Sequence, residues 1–415
     1  MSYQVSESIQ KRFDELLAMP QVQEALAFIE RDHENCVADQ KEFCLIESPT
    51  FHEEERARRY MEKLRAIGGI EQLEMDEMNN VTGFIPGTEE GFVLTEAHMD
   101  TVFPFGTTKE IREDGDMLYA PGIYDNARGM ACVLSAIRGL KHSGLKTRKT
   151  LIVGGTAREE ADGGLGGMKA LIARFPNLDA NVSVDGGFME ALTFNATYNH
   201  IMKYTFKGIG GHAFSAYGVV ANPLGAAARA VAKLNDLRLP ALPRTTCSAT
   251  KLNTSASSGI TSIPDSCELY VNFRSNGAEE FAVLEKQVAE CIRAACEEES
   301  ARWGKDTITC EAELLGDLPG GVQDEHMPLV EATWLAATKL YDGVILRAGG
   351  NTNSNIPISK GIPAVTIGGS EKNWGAHSLG EKFCTAGAYR CPQGVLLVLL
   401  MALGVEGGIT SCLEG

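Results

Sequence analysis

The sequence predicts an α/β protein: a mixed, mostly parallel sheet flanked by helices, interrupted by a smaller α+β insertion. Three observations carry that reading. Short apolar runs alternate with amphipathic segments of helical length from residue 92 to residue 184, the pattern of parallel strands joined by helical crossovers. Between about 197 and 315 the order changes to β-α-β-β-α-β, a split βαβ or ferredoxin-like unit. After the glycine-rich LLGDLPGG the chain returns to helix and strand. At 415 residues it is also too long for one compact core, and a typical domain size gives roughly two to three domains. The expected division is 1–196 and 316–415 for the main domain and 197–315 for the insertion.

The elements follow in order. The first sixty-odd residues read as helices: Ala57, Tyr60, Met61, Leu64 and Ile67 recur at three- and four-residue spacing, and Gly68-Gly69 supplies a stop. Residues 92–94 are the first strand candidate. Met130, Val133, Leu134, Ile137 and Leu140 then make one helical face. Strands are predicted at 151–153 and 182–184, with a helix around 168–173 between them. In the insertion, strands at 198–206, 246–252, 267–273 and 307–314 accompany helices at 222–237 and 278–302. A helix at 330–339, a strand at 364–367 and an apolar final helix complete the chain. The sequence contains no internal repeat and no low-complexity tract.

Composition narrows the function. Hydrophobic residues at 44% and charged residues at 22% are ordinary globular values, which disfavours disorder, collagen and coiled coil. Acidic residues outnumber basic ones, 55 against 38, for a formal charge of −17. Such a field repels phosphate backbones and anionic lipid, so neither nucleic acid nor a membrane surface is expected as a partner. The longest apolar run, residues 394–405, has 12 residues and is too short to span a bilayer. The opening MSYQVSESIQKRFDELL lacks the basic start and apolar stretch of a secretory signal. Eleven scattered cysteines with no C-x-x-C pair suit reduced thiols better than a disulfide framework. A cytoplasmic location is the expectation.

In an open parallel sheet, ligands bind beyond the carboxyl ends of the strands. That rule singles out EAHMDTV after the first strand, with His98 and Asp100, and GGTAREEADGG after the second, with Glu159 and Glu160. Asp185 follows the third, and His377 follows the strand at 364–367 in GGSEKNWGAHS. Asp125, in PGIYDNARG, stands at a helix start, where a carboxylate is locally favoured. Imidazole and carboxylate ligands without thiolate suit zinc, cobalt or manganese. Each residue alone has a plainer reading. H-x-D is commonly a polar corner, adjacent glutamates a solvated pair, Asp125 a helix cap, Asp185 a turn residue, and His377 a core histidine. Their coincidence on one sheet edge is what those readings leave unexplained. Cys132 and Cys391 sit in apolar helical segments, as buried structural thiols do. The sequence has neither a G-x-S-x-G elbow nor a Walker phosphate loop, and the glycines of GGLGGMKA follow acidic residues that would repel a phosphate.

The ordered motifs resemble those of the aminoacylase, peptidase T and glutamate carboxypeptidase family of dinuclear zinc hydrolases, over nearly the whole chain. The resemblance implies a zinc-exopeptidase-like fold whose insertion acts as a lid and dimerisation domain. It implies His98 as a ligand of one metal, Asp125 as the bridge, Glu159 as general base and Glu160 as a ligand. It further implies that Asp185 completes the first metal site and His377 the second, with two divalent ions per chain, zinc or alternatively cobalt or manganese. Asp100 is expected to hydrogen-bond the outer nitrogen of His98 and fix its tautomer. GGHAFSAYG carries His212, matching a lid histidine that stabilises the oxyanion, often across a dimer interface. VNFRS carries Arg274, matching an arginine that holds the substrate carboxylate. Two positions depart from the family pattern: Thr261 replaces a common asparagine and Asn353 a common aspartate. The expected function is hydrolysis of an amide bond in a short peptide by a cytoplasmic homodimer. The alternatives are an N-acyl-amino-acid deacylase with the same site and a non-catalytic binding protein of the same fold.

Overall fold

The computed structural model describes residues 3–187, 189–255, 259–303, 308–370 and 372–414. They fold as two compact units, one formed by Thr197–Gly321 and the other by the segments before and after it.

The larger unit is built on an eight-stranded sheet. Its middle is the parallel set Thr150–Thr156, Phe92–His98, Ala180–Val184 and Ala364–Ile367, in that spatial order. The strands are buried almost throughout, as a parallel sheet covered on its faces must be. Two antiparallel strands, Glu71–Met75 and Val81–Ile85, extend one side, and Ala191–Thr193 and Ile345–Arg347 extend the other. The helix Ala127–His142 is buried on most of its circumference, from Met130 through Ile137. Arg390–Leu403 is buried at every residue from Cys391 to Leu403. A helix that is apolar all round belongs inside a core. Each large aliphatic side chain buried there contributes roughly 1.5–3 kcal/mol. The start of Ala127–His142 also approaches the sheet closely. A Cβ on Gly129 would lie 2.0 Å from Asn126 Oδ1 and 2.5 Å from the Val184 carbonyl oxygen, so only glycine fits there.

Four short strands form a second, antiparallel sheet in the order Asn373–Trp374, Lys382–Cys384, Met117–Tyr119, Arg112–Asp114. The sequence reading did not include it, nor the strands at 71–75 and 81–85. Runs of two or three residues are too short to show alternation, and Glu71–Met75 is a largely exposed edge strand whose apolar face is only Leu73 and Met75, both half-buried.

The smaller unit has four antiparallel strands in the order Thr245–Thr254, Ser266–Ser275, Tyr198–Lys207, Thr309–Leu318. Helices Pro223–Asn235 and Ala278–Arg302 pack on the sheet through Ala226, Ala230, Leu284, Val288 and Ile292. Strict burial alternation along Ser266–Ser275 marks a sheet packed on one face. The last strand pairs as far as Leu318, beyond the 315 boundary expected from sequence. A register shift between Leu314 and Gly316 lets its pairing with Tyr198–Lys207 continue. Thr307, where the sequence reading began this strand, lies outside the described residues.

Candidate metal centre

The carboxyl ends of the four parallel strands hold the chemistry. The first strand runs further than the apolar run predicts, because the buried Glu96 interrupts the apolar pattern without ending the strand; His98 is therefore its last residue. Asp185 follows Ala180–Val184 directly. Glu159 and Glu160 follow Thr150–Thr156 after a two-residue turn, in which Arg158 has φ 58°. His377, with φ 60°, lies beyond Ala364–Ile367 in the turn that joins Asn373–Trp374 to Lys382–Cys384.

These side chains converge. His98 Nε2 lies 3.1 Å from Asp125 Oδ1 and 3.2 Å from Asp185 Oδ1. His377 Nε2 lies 3.3 Å from Asp125 Oδ2 and 3.0 Å from Glu160 Oε1. Asp125 thus turns one oxygen to each histidine. Ligand atoms of His98, Asp125 and Asp185 fall within 4.8 Å of one another, as do those of Asp125, Glu160 and His377, and those of His98, Glu159 and Glu160. Four carboxylates against two imidazoles leave excess negative charge in a partly buried place. The carboxylates of Asp185 and Glu159 raise the His98 pKa well above its ordinary value despite the opposing effect of burial. Burial, opposed by His98 and reinforced by Asp185 and Glu160, raises that of Glu159. A donor set of this composition, with one carboxylate shared, fits two divalent cations.

The supporting contacts differ in part from expectation. His98 Nδ1 is closer to the Asp100 carbonyl oxygen, at 3.1 Å, than to the Asp100 carboxylate, at 3.5 Å. The Asp100 carboxylate instead accepts the backbone N–H groups of Glu159 (3.0 Å) and Glu160 (2.9 Å) and the Thr50 hydroxyl (3.0 Å). It positions both glutamates as well as bracing the histidine. Glu53 accepts the Arg158 N–H at 3.1 Å and steadies the same turn. Asn126 caps the helix behind Asp125: its Oδ1 accepts the Gly129 N–H, and its Nδ2 donates to the Val184 carbonyl oxygen beside Asp185.

Sequence reasoning missed Glu381. This residue, 1% exposed, accepts the N–H groups of Gly122 (3.0 Å), Tyr124 (2.9 Å) and Asp125 (3.2 Å). It is four residues beyond His377, and Lys382–Cys384 pairs with Met117–Tyr119. The short sheet and this one carboxylate therefore fix the Asp125 loop against the His377 loop. Burial pushes the Glu381 pKa up to about 7. Truncation would leave three N–H groups without their acceptor, each costing on the order of 1–3 kcal/mol if it stays dry. Glu381→Ala is expected to lower the unfolding temperature and the metal content together, and Glu381→Gln, which keeps one acceptor oxygen, to recover part of both. Unchanged metal content in Glu381→Ala would remove it from the site's support.

The six converging residues line a cavity of about 270 Å³, whose other wall includes Thr193, Arg347, Asn351, Thr352 and Thr366. A larger open cleft of about 1150 Å³, flanked by Tyr3, Lys11, Asp14 and Trp334, is remote from this chemistry and has no converging ligand set among its described lining residues. His212 and Arg274 belong to the smaller unit. His212 is exposed in Gly211–His212, paired with Ser262–Ile263, and its Nδ1 accepts the Phe214 N–H. The Thr261 carbonyl oxygen accepts the N–H of Ala213. Arg274 is exposed near the end of Ser266–Ser275, with its Nε donating to Asn272 Oδ1 at 2.9 Å. Asn353, by contrast, is buried and donates to Glu96 and Thr156. An aspartate there would set two buried carboxylates against each other, so this departure is matched by Glu96.

Comparison with known proteins agrees with the geometry. The profile of peptidase family M20/M25/M40 matches residues 94–400. The solved aminopeptidase PepT from Bacillus cereus ATCC 10987 has a TM-score of 0.74 at 21% identity, over 88% of this chain and 97% of that one. A dinuclear metal-binding peptidase of the M20 family from Bacillus subtilis gives 0.66 at 15% identity, over 90% and 99%. At these identities the likeness is one of fold. The uncharacterized protein YgeY of Escherichia coli (strain K12) is 32% identical over 132 residues, 30% of this chain. The match spans about a third (32%) of that relative's length. Among the described residues no helix is long and apolar enough to cross a membrane. With most of its length matched by the family profile and its fold shared with solved relatives, the chain belongs to peptidase family M20/M25/M40, hydrolases that act on peptide or amide bonds.

Proposed function

We propose that this protein is a dinuclear metal-dependent exopeptidase that cleaves an amide bond of a short peptide. The observation that carries the reading is Asp125, whose two oxygens face separate histidine–carboxylate groups beside Glu159. His98, Asp125 and Asp185 would hold one divalent ion, and Asp125, Glu160 and His377 the other. Zinc is the favoured metal, with cobalt or manganese able to replace it. When bound, such ions polarise the scissile carbonyl and lower the pKa of an attacking water.

Glu159 takes the proton of that water and passes it to the leaving amine. Asp100 keeps Glu159 in place by accepting its backbone N–H. By the family resemblance, His212 serves the oxyanion, Arg274 the substrate carboxylate, and the smaller unit acts as lid and dimer contact. The eleven free thiols favour a cytoplasmic setting.

Purified protein is expected to carry two divalent ions per chain, to lose activity to a chelator and to regain it with zinc, cobalt or manganese. A panel of dipeptides, tripeptides and N-acetyl amino acids separates the peptidase from a deacylase. Full activity in metal-free protein would sink the reading. If His212 acts across a two-fold interface, mixing inactive His212→Ala with inactive Glu159→Ala subunits restores part of the activity through hybrid sites. No recovery in verified heterodimers would place His212 in its own subunit's site or outside it.

A further inference from the structure

Beneath the cavity, a line of hydroxyls runs from its wall to a buried carboxylate. Glu96 is 1% exposed. Its Oε2 accepts from Thr156 Oγ1 (2.9 Å) and Asn353 Nδ2 (2.8 Å), and its Oε1 accepts from Ser183 Oγ. Ser183 Oγ in turn accepts from Asn181 Nδ2 (3.0 Å) and Ser354 Oγ (3.1 Å). Ser354 Oγ accepts from Thr366 Oγ1 at 2.7 Å, and Thr366 Oγ1 is 2.7 Å from Thr352 Oγ1.

A hydroxyl has one proton to donate. Ser183 gives its proton to Glu96, so the Ser183–Ser354 bond must use the proton of Ser354. Ser354 must then receive its second bond from Thr366, whose proton is thereby committed. The remaining contact, in which either partner could donate on distance alone, is settled: Thr352 donates to Thr366. Every proton along the line points toward Glu96. The line keeps this direction while Glu96 is ionised, because only a protonated carboxyl at its buried end could donate to Ser183 and reverse it. Thr352 Oγ1 is left with lone pairs only, one of them facing the Ser354 N–H at 3.3 Å. Thr352 and Thr366 line the same cavity as His98, Asp125 and Glu159.

We propose that Thr352 is a substrate-binding residue that accepts a hydrogen bond from a substrate N–H, and that Glu96, Ser183, Ser354 and Thr366 are positioning residues that keep its hydroxyl an acceptor. The inference rests on the amide-hydrolase reading and sharpens it. The preferred ligand carries an N–H beside the scissile bond, either the ammonium of a free amino terminus or the scissile amide itself. A carboxylate or a tertiary amide offers Thr352 nothing to accept.

Four probes test this on the two-metal enzyme. Leucylglycine offers both donors, 4-methylpentanoylglycine only the amide N–H, leucylsarcosine only the ammonium, and 4-methylpentanoylsarcosine neither. KM is measured for those turned over, and the competitive inhibition constant for the others. Thr352→Val is expected to weaken binding roughly 3- to 10-fold for probes with the recognised donor and to leave the rest unchanged, with little change in kcat. The singly deleted probe that stays sensitive identifies the donor. Thr352→Ser should restore wild-type discrimination. Ser354→Ala, which frees the Thr366 proton to turn, should reduce it. An equal effect of Thr352→Val on all four probes, or none on any, would overturn the inference while turnover by the parent enzyme kept the functional reading intact. If the parent enzyme neither bound nor cleaved any of the four, both would fall.

Discussion

Glu159→Gln is expected to keep both metals, leave KM within about threefold, and cut turnover by roughly a hundred- to ten-thousand-fold, the usual range for a general base. The substitution preserves size and the backbone N–H that Asp100 accepts, so the turn keeps its anchor. It removes the one group among the clustered carboxylates that the metal-binding assignment leaves free for the proton. Glu160→Gln differs in kind. Glu160 Oε1 faces His377 Nε2 at 3.0 Å in the ligand group containing Asp125, so its loss should lower occupancy of one metal before it touches the chemical step. Metal analysis of the two variants separates the roles. If Glu159→Gln lost a metal while Glu160→Gln kept both, base and ligand would have to be exchanged, even with the enzyme class unchanged.

Much of this site could be read from sequence because its residues stand at ends of strands that announce themselves. The apolar runs at 92–94, 151–153, 182–184 and 364–367 all lie within strands, and the residues after them meet at one sheet edge. Helical periodicity was equally direct for Ala127–His142 and Ala278–Arg302, whose apolar faces are long enough to repeat. What stayed hidden acts through backbone groups or across distance. Glu381 sits inside the GAHSLGE motif, but its partners are three main-chain N–H groups more than 250 residues away, which no side-chain pattern records. Asp100 was visible as part of H-x-D, yet its bonds to the N–H groups of Glu159 and Glu160 depend on the turn geometry. Asn353 stood out as a departure from the family pattern, and its meaning emerged only when Glu96 was found against it.

Asp125→Ala should have the larger effect on metal, because Asp125 is the only carboxylate shared by the two histidine-containing groups that would each hold one ion. Removing Asp185 or His377 takes a ligand from one group. Removing Asp125 takes one from both, and with it the charge that lets two cations sit close together. The expected content falls from two ions per chain to less than one in Asp125→Ala, against about one in Asp185→Ala and His377→Ala. Turnover should drop at least about a thousandfold, since polarisation of the substrate and activation of the water are lost together. Stability and metal binding are separated by measuring unfolding with and without zinc. Despite its burial, Asp125 faces His377 and His98, which hold its pKa well below the ordinary carboxylate value, so removing it costs metal-free protein those ion-pair contacts and the metal-free unfolding temperature should fall. What should disappear is the rise in unfolding temperature on adding zinc, because a ligand stabilises the folded state only to the extent that it binds it. Two ions retained by Asp125→Ala, with a normal zinc-dependent rise, would show that the bridge is elsewhere and would undo the two-metal assignment at its centre.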